Sequence, residues 1–265
     1  MFKQNKIIDD WNNYSEKYFR NTKFDALFSA LEKDPYKGFP EAMAAMIKEY
    51  YPDLKGKKVC VPSCGDNTAV FSFCALGADV TATDISYKQI ENARKIAENK
   101  NFNVKYHVCD SMKLDELSDN TYDLVYTSNG VHVWINDLNA MYSNIHRILK
   151  QGGKYMLFDT HPFGRPFDPQ KVGKGIFEVV KPYEDMGPLG EVPNFHWRIQ
   201  DYINALIKSG FVINRMEEFH SVIDDIPACN YLFDENDINH DNFDWHNNPW
   251  AALPQCLGLC SDKVF

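Results

Sequence analysis

Short apolar runs alternate with amphipathic stretches along most of the 265-residue chain. The runs have the length and β-branched bias of buried strands, and apolar residues three and four positions apart between them predict helices. Because strands that alternate with helices build a mostly parallel sheet with helices on both faces, the pattern predicts a doubly wound α/β fold. The predicted strands are residues 59–61, 80–83, 104–108, 122–127, 155–158, 211–216 and 256–260.

Changes in this alternation divide the single predicted domain into four parts. The first predicts a cap of amphipathic helices, and the second carries the regular alternation of strands and helices. The third contains six prolines, which exclude a helix and leave loops with a short strand at 176–181. The fourth adds a helix, two strands and a long polar loop. The four parts are residues 1–52, 53–160, 161–197 and 198–265.

Local signals indicate where some of these elements begin. Ser86 precedes the amphipathic stretch Tyr87–Asn99, and Gln89 stands three residues later, which is the pattern of a helix capping box. Gly152 and Gly153 predict a tight turn that leads into the fifth strand.

Composition narrows the possible partners. The net charge of −9 argues against binding to a phosphate backbone. The seven cysteines are scattered without paired metal-ligand spacing, so we expect reduced thiols and a cytoplasmic protein. No apolar stretch reaches the roughly 20 residues that span a membrane, so no membrane partner is expected. The sequence indicates no oligomeric state.

The stretch 57–84 has the pattern strand, polar turn, helix, strand, with Gly65 in the turn and Asp84 at the end of the second strand. In such a unit, backbone N–H groups at the turn and the helix start bind a polar or anionic group. An acid roughly 20 residues after the turn accepts hydrogen bonds from ribose hydroxyls. The stretch therefore predicts a site for a ligand that contains a nucleoside.

Five motifs resemble, in order and spacing, those of class I S-adenosylmethionine-dependent methyltransferases, with a domain of the type 11 kind. The motifs are VCVPSCGDN, TATDIS, YHVCDSMKL, YDLVYTSNGVHVWI and ILKQGGKYMLFD, within about residues 57 to 160. The resemblance implies a Rossmann-like sheet of seven strands, mostly parallel with the last strand antiparallel. It also implies S-adenosyl-L-methionine as the cofactor and methyl transfer as the activity.

The resemblance implies which residues bind the cofactor. Asp84 holds the ribose and Asp110 lies beside the adenine amino group, although Asp is also common at loop starts. The helix at residues 6–20 either packs on the core or folds over the cofactor, where Tyr14 and Tyr18 would touch it. The full implied set is Pro62, Ser63, Cys64, Gly65, Asn67, Asp84, Ile85, Asp110, Ser111, Met112, Ser128, Asn129, Tyr14 and Tyr18.

The first motif departs from the family pattern at three positions. Val61 stands where the family has an acid, and Ser63 and Asn67 stand where it has the first and last of three glycines. The side chain of Val61 cannot bind the cofactor's ammonium group. Other groups must therefore hold the methionine end of the cofactor.

Two histidines follow strand ends on the substrate side, and we expect His132 or His161 to act as a general base. A lone histidine is also commonly a hydrogen-bonded structural residue. The proline-proline-aromatic motif of nucleic-acid amino-methyltransferases is absent, and so is a proline-cysteine pair. Both absences favour a small-molecule acceptor.

No metal is expected. His240, Asp241, Asp244 and His246 lie close together in the sequence, but their spacing matches no standard site and is typical of a solvated acidic loop.

Two other functions remain open. The degenerate first motif is compatible with a protein that binds S-adenosylmethionine without transferring its methyl group. An acid after the second strand also occurs in nicotinamide-dependent oxidoreductases, although the GxGxxG spacing of that class is absent.

Overall fold

The computed structural model describes residues 4–18, 24–65, 67–128, 130–220 and 240–264. The strands are β1 Lys58–Val61, β2 Asp79–Asp84, β3 Val104–Val108, β4 Tyr122–Ser128, β5 Leu149–Thr160, β6 Phe211–Phe219 and β7 Cys256–Lys263. The helices are α1 Gln4–Tyr18, α2 Phe24–Leu31, α3 Glu41–Tyr50, α4 Ala69–Ala75, α5 Tyr87–Asn99, α6 Leu138–Ile148, α7 Pro169–Val172 and α8 Ile199–Lys208.

The seven strands form one sheet in the order β3-β2-β1-β4-β5-β7-β6. Strands β1 to β5 are parallel, and β7 runs antiparallel to both β5 and β6. The predicted fold is thus confirmed, including the antiparallel last strand. The direction of strand succession reverses between β1 and β4, which is where open α/β sheets bind ligands.

Alternating side chains of the central strands build two apolar cores. Val59 and Val61 of β1 pack with α3, α4 and α5 on one face, whereas Cys60 between them packs with α6 and α8 on the other. Successive side chains of a strand point to opposite faces, so a strand with no polar alternation must be covered on both. This explains the unbroken apolar runs in the sequence.

The glycine pair before β5 does not form the predicted turn. Strand β5 already begins at Leu149, which pairs with Tyr122, and the register then shifts so that Leu124 pairs with Lys154. Gly152 has a left-handed φ of +75° inside this irregularity. The pair therefore forms a bulge within one long strand, because a bulge accommodates extra residues without ending the pairing.

Residues 161–197 correct two expectations. A four-residue helix, α7, forms despite the prolines because Pro169 occupies its first turn and the Asp168 side chain accepts the Gln170 N–H. The expected strand at 176–181 is reduced to an isolated bridge between Phe167 and Val179. Most of the segment is irregular, as the proline content predicts.

The cap of α5 is confirmed only in part. The Ser86 Oγ accepts the Gln89 N–H, but the Gln89 side chain does not complete the predicted capping box. Its Oε1 instead accepts a hydrogen bond from Ser15 Oγ of α1, at 3.3 Å. Gln89, which the sequence pattern predicts as part of a local cap, thus makes a tertiary contact instead.

Five of the described cysteines are free thiols: Cys60, Cys64, Cys74, Cys109 and Cys260. Cys256 is disulfide-bonded, so the expectation of seven reduced thiols is wrong at this residue. Burial raises the pKa of Cys74 and of Cys260 to about 12, which keeps both thiols protonated near neutral pH.

Candidate functional site

A cleft opens at the carboxyl ends of β1, β2, β3 and β4, where the strand order reverses. Its empty space, including open solvent at the mouth, is about 780 Å³. The lining residues are Gln4, Ile7, Trp11, Ser63, Cys64, Gly65, Asn67, Asp84, Ile85, Gln89, Asp110, Ser111, Met112, Ser128, Gly130, Val131, Trp134 and Ile135.

The loop after β1 is bent by two left-handed residues, Ser63 at φ +49° and Gly65 at φ +44°. Serine rarely adopts this conformation, so the surroundings must hold it in place. The Ser63 hydroxyl is 2.7 Å from the Ser111 hydroxyl, and the Cys64 N–H donates to the Thr83 carbonyl at 2.8 Å. These contacts tie the loop to the ends of the neighbouring strands.

Asp84 presents a carboxylate to the cleft in a fixed orientation. One of its oxygens accepts the Gly65 N–H at 2.9 Å, and the other accepts the Ser86 N–H at 2.8 Å. Its side chain is nearly buried, yet it lines the cleft. A carboxylate oxygen can accept more than one hydrogen bond, so this group has the chemistry to bind ligand hydroxyls.

Asp110 is a second carboxylate on the same side of the cleft. Its Oδ1 accepts the Met112 N–H at 2.9 Å, and its Oδ2 accepts from Gln4 Nε2 at 2.8 Å. The first contact is a local turn that the sequence predicts. The second joins residues 106 positions apart, and no sequence signal indicates it.

Asn67 and Ser128 form a neutral polar pair at the carboxyl ends of β1 and β4. The Asn67 Oδ1 accepts the Ala69 N–H at 2.9 Å, and its Nδ2 donates to Ser128 Oγ at 2.8 Å. Both residues are buried, and both line the cleft. The pair joins the loop after β1 to the carboxyl end of β4.

Helix α1 covers the cleft and makes polar contacts to α5 and to its N-cap residue Ser86. Ser86 Oγ donates to Asn12 Oδ1 at 2.7 Å, and Asn92 Nδ2 donates to Ser15 Oγ at 2.9 Å. At the mouth of the cleft, the rings of Trp11 and Trp134 meet edge to face at 5.4 Å. The position of α1 is consistent with the predicted placement in which this helix folds over the cofactor.

Of the two tyrosines predicted to touch the cofactor, only the side chain of Tyr14 lies within the described residues. Tyr14 is 45% exposed, packs edge to face against Trp11 and does not line the cleft. The side chain of Tyr18 lies outside the described part of the chain. The aromatic residue of α1 that lines the cleft is Trp11.

His132 is completely buried behind the cleft wall rather than exposed in the cleft. Its Nδ1 lies 2.6 Å from Asp159 Oδ2, its backbone N–H donates to the same oxygen, and its Nε2 lies 3.3 Å from the Tyr155 hydroxyl. Burial by itself raises the pKa of Asp159, but the hydrogen bond and charge of His132, together with Arg165, hold it below its ordinary value. The pair anchors the segment that carries Val131 and Trp134 of the wall.

His161 is also buried and does not line the cleft. Its Nε2 lies 2.8 Å from Glu218 Oε1, and its Nδ1 accepts the Phe163 N–H at 3.1 Å. Both ring nitrogens are thus engaged within the protein. Neither histidine occupies a position that touches a ligand in the cleft.

The structure brings together ten of the implied cofactor-binding residues along the cleft: Ser63, Cys64, Gly65, Asn67, Asp84, Ile85, Asp110, Ser111, Met112 and Ser128. Pro62 is buried beneath the loop, and Asn129 lies outside the described residues. The cleft is also lined by residues outside the implied cofactor-binding set: Gln4, Ile7, Trp11, Gln89, Gly130, Val131, Trp134 and Ile135. The helical spacing of Ile7 and Trp11 was the available signal.

The described residues contain no group of three or more His, Cys, Asp or Glu arranged to hold a metal ion. Asp244 Oδ1 accepts the backbone N–H of His246 and lies 2.8 Å from its Nδ1, on the exposed surface. No helix within the described ranges is both long enough and apolar enough to cross a membrane.

Residues 62–157 match the family described as a methyltransferase domain. The chain is 26% identical over 190 residues to the uncharacterized methyltransferase YbaJ of Bacillus subtilis, covering 66% of this chain and 74% of that protein. The crystal structure of an S-adenosylmethionine-dependent methyltransferase from Mesorhizobium loti has a TM-score of 0.59 at 22% identity, covering 83% and 97% of the two chains. Geranyl diphosphate C-methyltransferase from Streptomyces coelicolor has a TM-score of 0.59 at 15% identity, covering 84% and 80%. At these identities the solved structures establish the fold.

Proposed function

We propose that the chain is a class I S-adenosylmethionine-dependent methyltransferase that transfers a methyl group to a small-molecule acceptor. The match of residues 62–157 to a methyltransferase domain and the similarity to YbaJ support this proposal. S-adenosyl-L-methionine is the methyl donor of this family, as the sequence predicts. When bound, it supplies a methyl carbon made electrophilic by the attached sulfonium. The observation that supports the proposal is the cleft itself, where two carboxylates and a bent loop adjoin an apolar wall.

The donor set fits the adenosine part of this cofactor. Asp84 would accept hydrogen bonds from the ribose hydroxyls, because its carboxylate is held in place by two backbone N–H groups and lines the cleft. Asp110 would accept one from the adenine amino group. Charge-assisted hydrogen bonds of this kind are stronger than neutral ones, so these two residues would account for most of the polar recognition of adenosine.

The apolar wall is suited to a small acceptor with an apolar surface. Ile7, Trp11, Val131, Trp134 and Ile135 contribute it, and none of them carries a charge. Such a wall excludes water and aligns the acceptor atom, and alignment alone supplies a large share of the barrier reduction in a displacement reaction. Aromatic faces would also stabilise the positive charge near the transferring methyl group.

We propose that the reaction does not depend on a histidine base. A base is needed only if the acceptor atom carries a proton that it does not lose easily. His132 and His161 are buried and face carboxylates, so the expectation that either acts as a base has no support from the geometry. A structural role for His132 behind the wall agrees better with its contacts. The net charge of −9 also favours a small molecule over a nucleic acid.

Calorimetric titration followed by a transfer assay tests the proposal. We expect the protein to bind S-adenosylmethionine and S-adenosylhomocysteine and not NAD, and stronger binding of NAD would contradict the assignment. The protein would then be incubated with S-adenosylmethionine and a panel of small apolar and aromatic metabolites, with release of S-adenosylhomocysteine as the signal. Tight binding without turnover across the panel would favour the alternative, a protein that binds the cofactor without transferring its methyl group.

A further inference from the structure

The methionine end of the cofactor carries a carboxylate and an ammonium group, and the family's usual acid is replaced here by Val61. The lining residues that follow β1 and that lie at the end of β4 or just after it are uncharged, and they include Ser63, Cys64, Asn67, Ser128 and Gly130. A carboxylate that leaves water needs hydrogen-bond donors, because an unpaired buried charge is very costly. Other groups of this chain must therefore supply those donors.

The backbone of the loop supplies few of them. The Cys64 N–H donates to the Thr83 carbonyl at 2.8 Å, and the Gly65 N–H donates to Asp84 at 2.9 Å. The Asn67 N–H donates to the Cys64 carbonyl at 2.7 Å, and the Ala69 N–H donates to Asn67 Oδ1 at 2.9 Å. Four N–H groups of the turn and the helix start therefore already donate within the protein.

The side chains of Asn67 and Ser128 each carry a hydrogen-bond donor beyond those used in their mutual contact. An amide nitrogen carries two hydrogens, and the Asn67 Nδ2 uses one of them to reach Ser128 Oγ at 2.8 Å. The Ser128 hydroxyl accepts that bond, so its own hydrogen remains available to donate. The Ala69 N–H holds Asn67 Oδ1, which orients the amide so that its nitrogen points toward Ser128.

We propose that Asn67 Nδ2 and Ser128 Oγ together bind the α-carboxylate of the cofactor. The inference rests on the proposed function, since it takes S-adenosylmethionine as the ligand of the cleft. The two atoms lie 2.8 Å apart, both residues line the cleft, and both are buried. The asparagine that replaces the family's last glycine thus supplies a donor that a glycine lacks.

Two ligands that differ only in the amino-acid group distinguish a loss of ligand recognition from a loss of folding. S-adenosylhomocysteine carries the amino-acid group, whereas 5′-methylthioadenosine keeps the adenosine and the sulfur but lacks it. Asn67→Asp preserves the acceptor for Ala69 while replacing the donors with a negative charge. We expect Asn67→Asp to weaken S-adenosylhomocysteine binding by more than tenfold and Ser128→Ala to weaken it severalfold. Both variants should bind 5′-methylthioadenosine within about twofold of the wild type.

Thr68→Ala is the matched control. It removes one hydrogen bond beside Asn67, from the Thr68 hydroxyl to the Gly38 carbonyl at 2.8 Å, and Thr68 does not line the cleft. This variant should leave the affinity for both ligands unchanged.

Isothermal titration calorimetry on the full chain, with thermal unfolding of each variant, distinguishes the outcomes. An equal loss of affinity for both ligands would overturn the inference, because it would show that the pair only shapes the loop. Unchanged affinity for S-adenosylhomocysteine in both variants would also overturn it. A wild-type protein that binds neither ligand would instead refute the proposed function, on which the inference depends.

Discussion

In the proposed complex, one half of the cleft binds the adenosine of the cofactor and the other half binds its amino-acid group. The two halves use different polar groups. The adenosine half presents the carboxylates of Asp84 and Asp110, which are oriented by backbone N–H groups. The proposed amino-acid half presents the neutral side chains of Asn67 and Ser128, where the Ala69 N–H orients the Asn67 amide and the amide nitrogen donates to Ser128 Oγ. Carboxylates suit a ligand portion that only donates hydrogen bonds, whereas neutral donors suit a portion that brings its own negative charge. If the proposal is correct, the half with the altered motif residues takes its hydrogen-bond donors from side chains.

The largest expected effect is a loss of folding stability, caused by a substitution in the buried wall behind the cleft. Asp159→Ala would leave His132 without its partner in a site where both side chains are fully buried. Removing one member of a buried pair typically lowers the free energy of unfolding by about 3–5 kcal/mol. Urea denaturation would measure the loss. Asp244→Ala, which breaks the exposed pair with His246, should change it by less than about 1 kcal/mol.

The same pair has a predictable pH dependence. The folded-state pKa of Asp159 is depressed, so its contribution to stability is present above its ordinary pKa of 3.8 and is lost as the pH falls through the lower folded value. The stability difference between wild type and Asp159→Asn should therefore shrink in strong acid. A difference that grows on acidification would contradict the depressed pKa.

The next largest effect concerns the adenosine half. Asp84→Ala should weaken binding of S-adenosylhomocysteine and 5′-methylthioadenosine alike, by roughly 1–3 kcal/mol, because both carry the ribose. Asp79→Ala on the same strand, in an exposed pair with Lys105, provides the control and should change neither affinity. If Asp84→Ala weakened binding only of the ligand with the amino-acid group, Asp84 would contact that group rather than the adenosine.

A smaller effect is expected at Asp110. The wild type should bind S-adenosylhomocysteine more tightly than S-inosylhomocysteine, which lacks the adenine amino group, by about 1 kcal/mol. Asp110→Ala should abolish most of this discrimination. Titration of both ligands into both proteins measures it. Gln4→Ala, which removes the other partner of the Asp110 carboxylate, should preserve the discrimination and thereby distinguish adenine recognition from helix docking.

The smallest effect lies in residues 161–197, outside both halves. Burial, together with the charges of Arg165 and Lys181, lowers the pKa of His196 to about 4 from its ordinary 6.5. The unfolded chain therefore binds a proton first, and stability should decrease as the pH falls from 6.5 to about 4. Because the ring is partly exposed, we expect no more than about 1 kcal/mol. His196→Gln should flatten the dependence of the melting temperature on pH in this window without altering cofactor affinity.

Features that depend on neighbouring residues were predictable from the amino-acid order. Unbroken apolar runs identified the strands because a strand covered on both faces has no room for polar side chains, as Val59 and Cys60 show. The cap at Ser86 and the position of Asp84 at a strand end followed from residues within a few positions of each other. The motif order indicated the resemblance to methyltransferases, and residues 62–157 match a methyltransferase domain.

Contacts between distant parts of the chain could not be predicted in this way. The bonds from Gln4 to Asp110 and from Asn67 to Ser128 join residues 106 and 61 positions apart, and the burial of His132 depends on an acid 27 positions away. A histidine after a strand has the same local signature whether it faces a ligand or a carboxylate. Only the packing of α1, β4 and β5 around the cleft settles which partner each side chain meets, because the burial and hydrogen bonding of a polar group are properties of its surroundings in space.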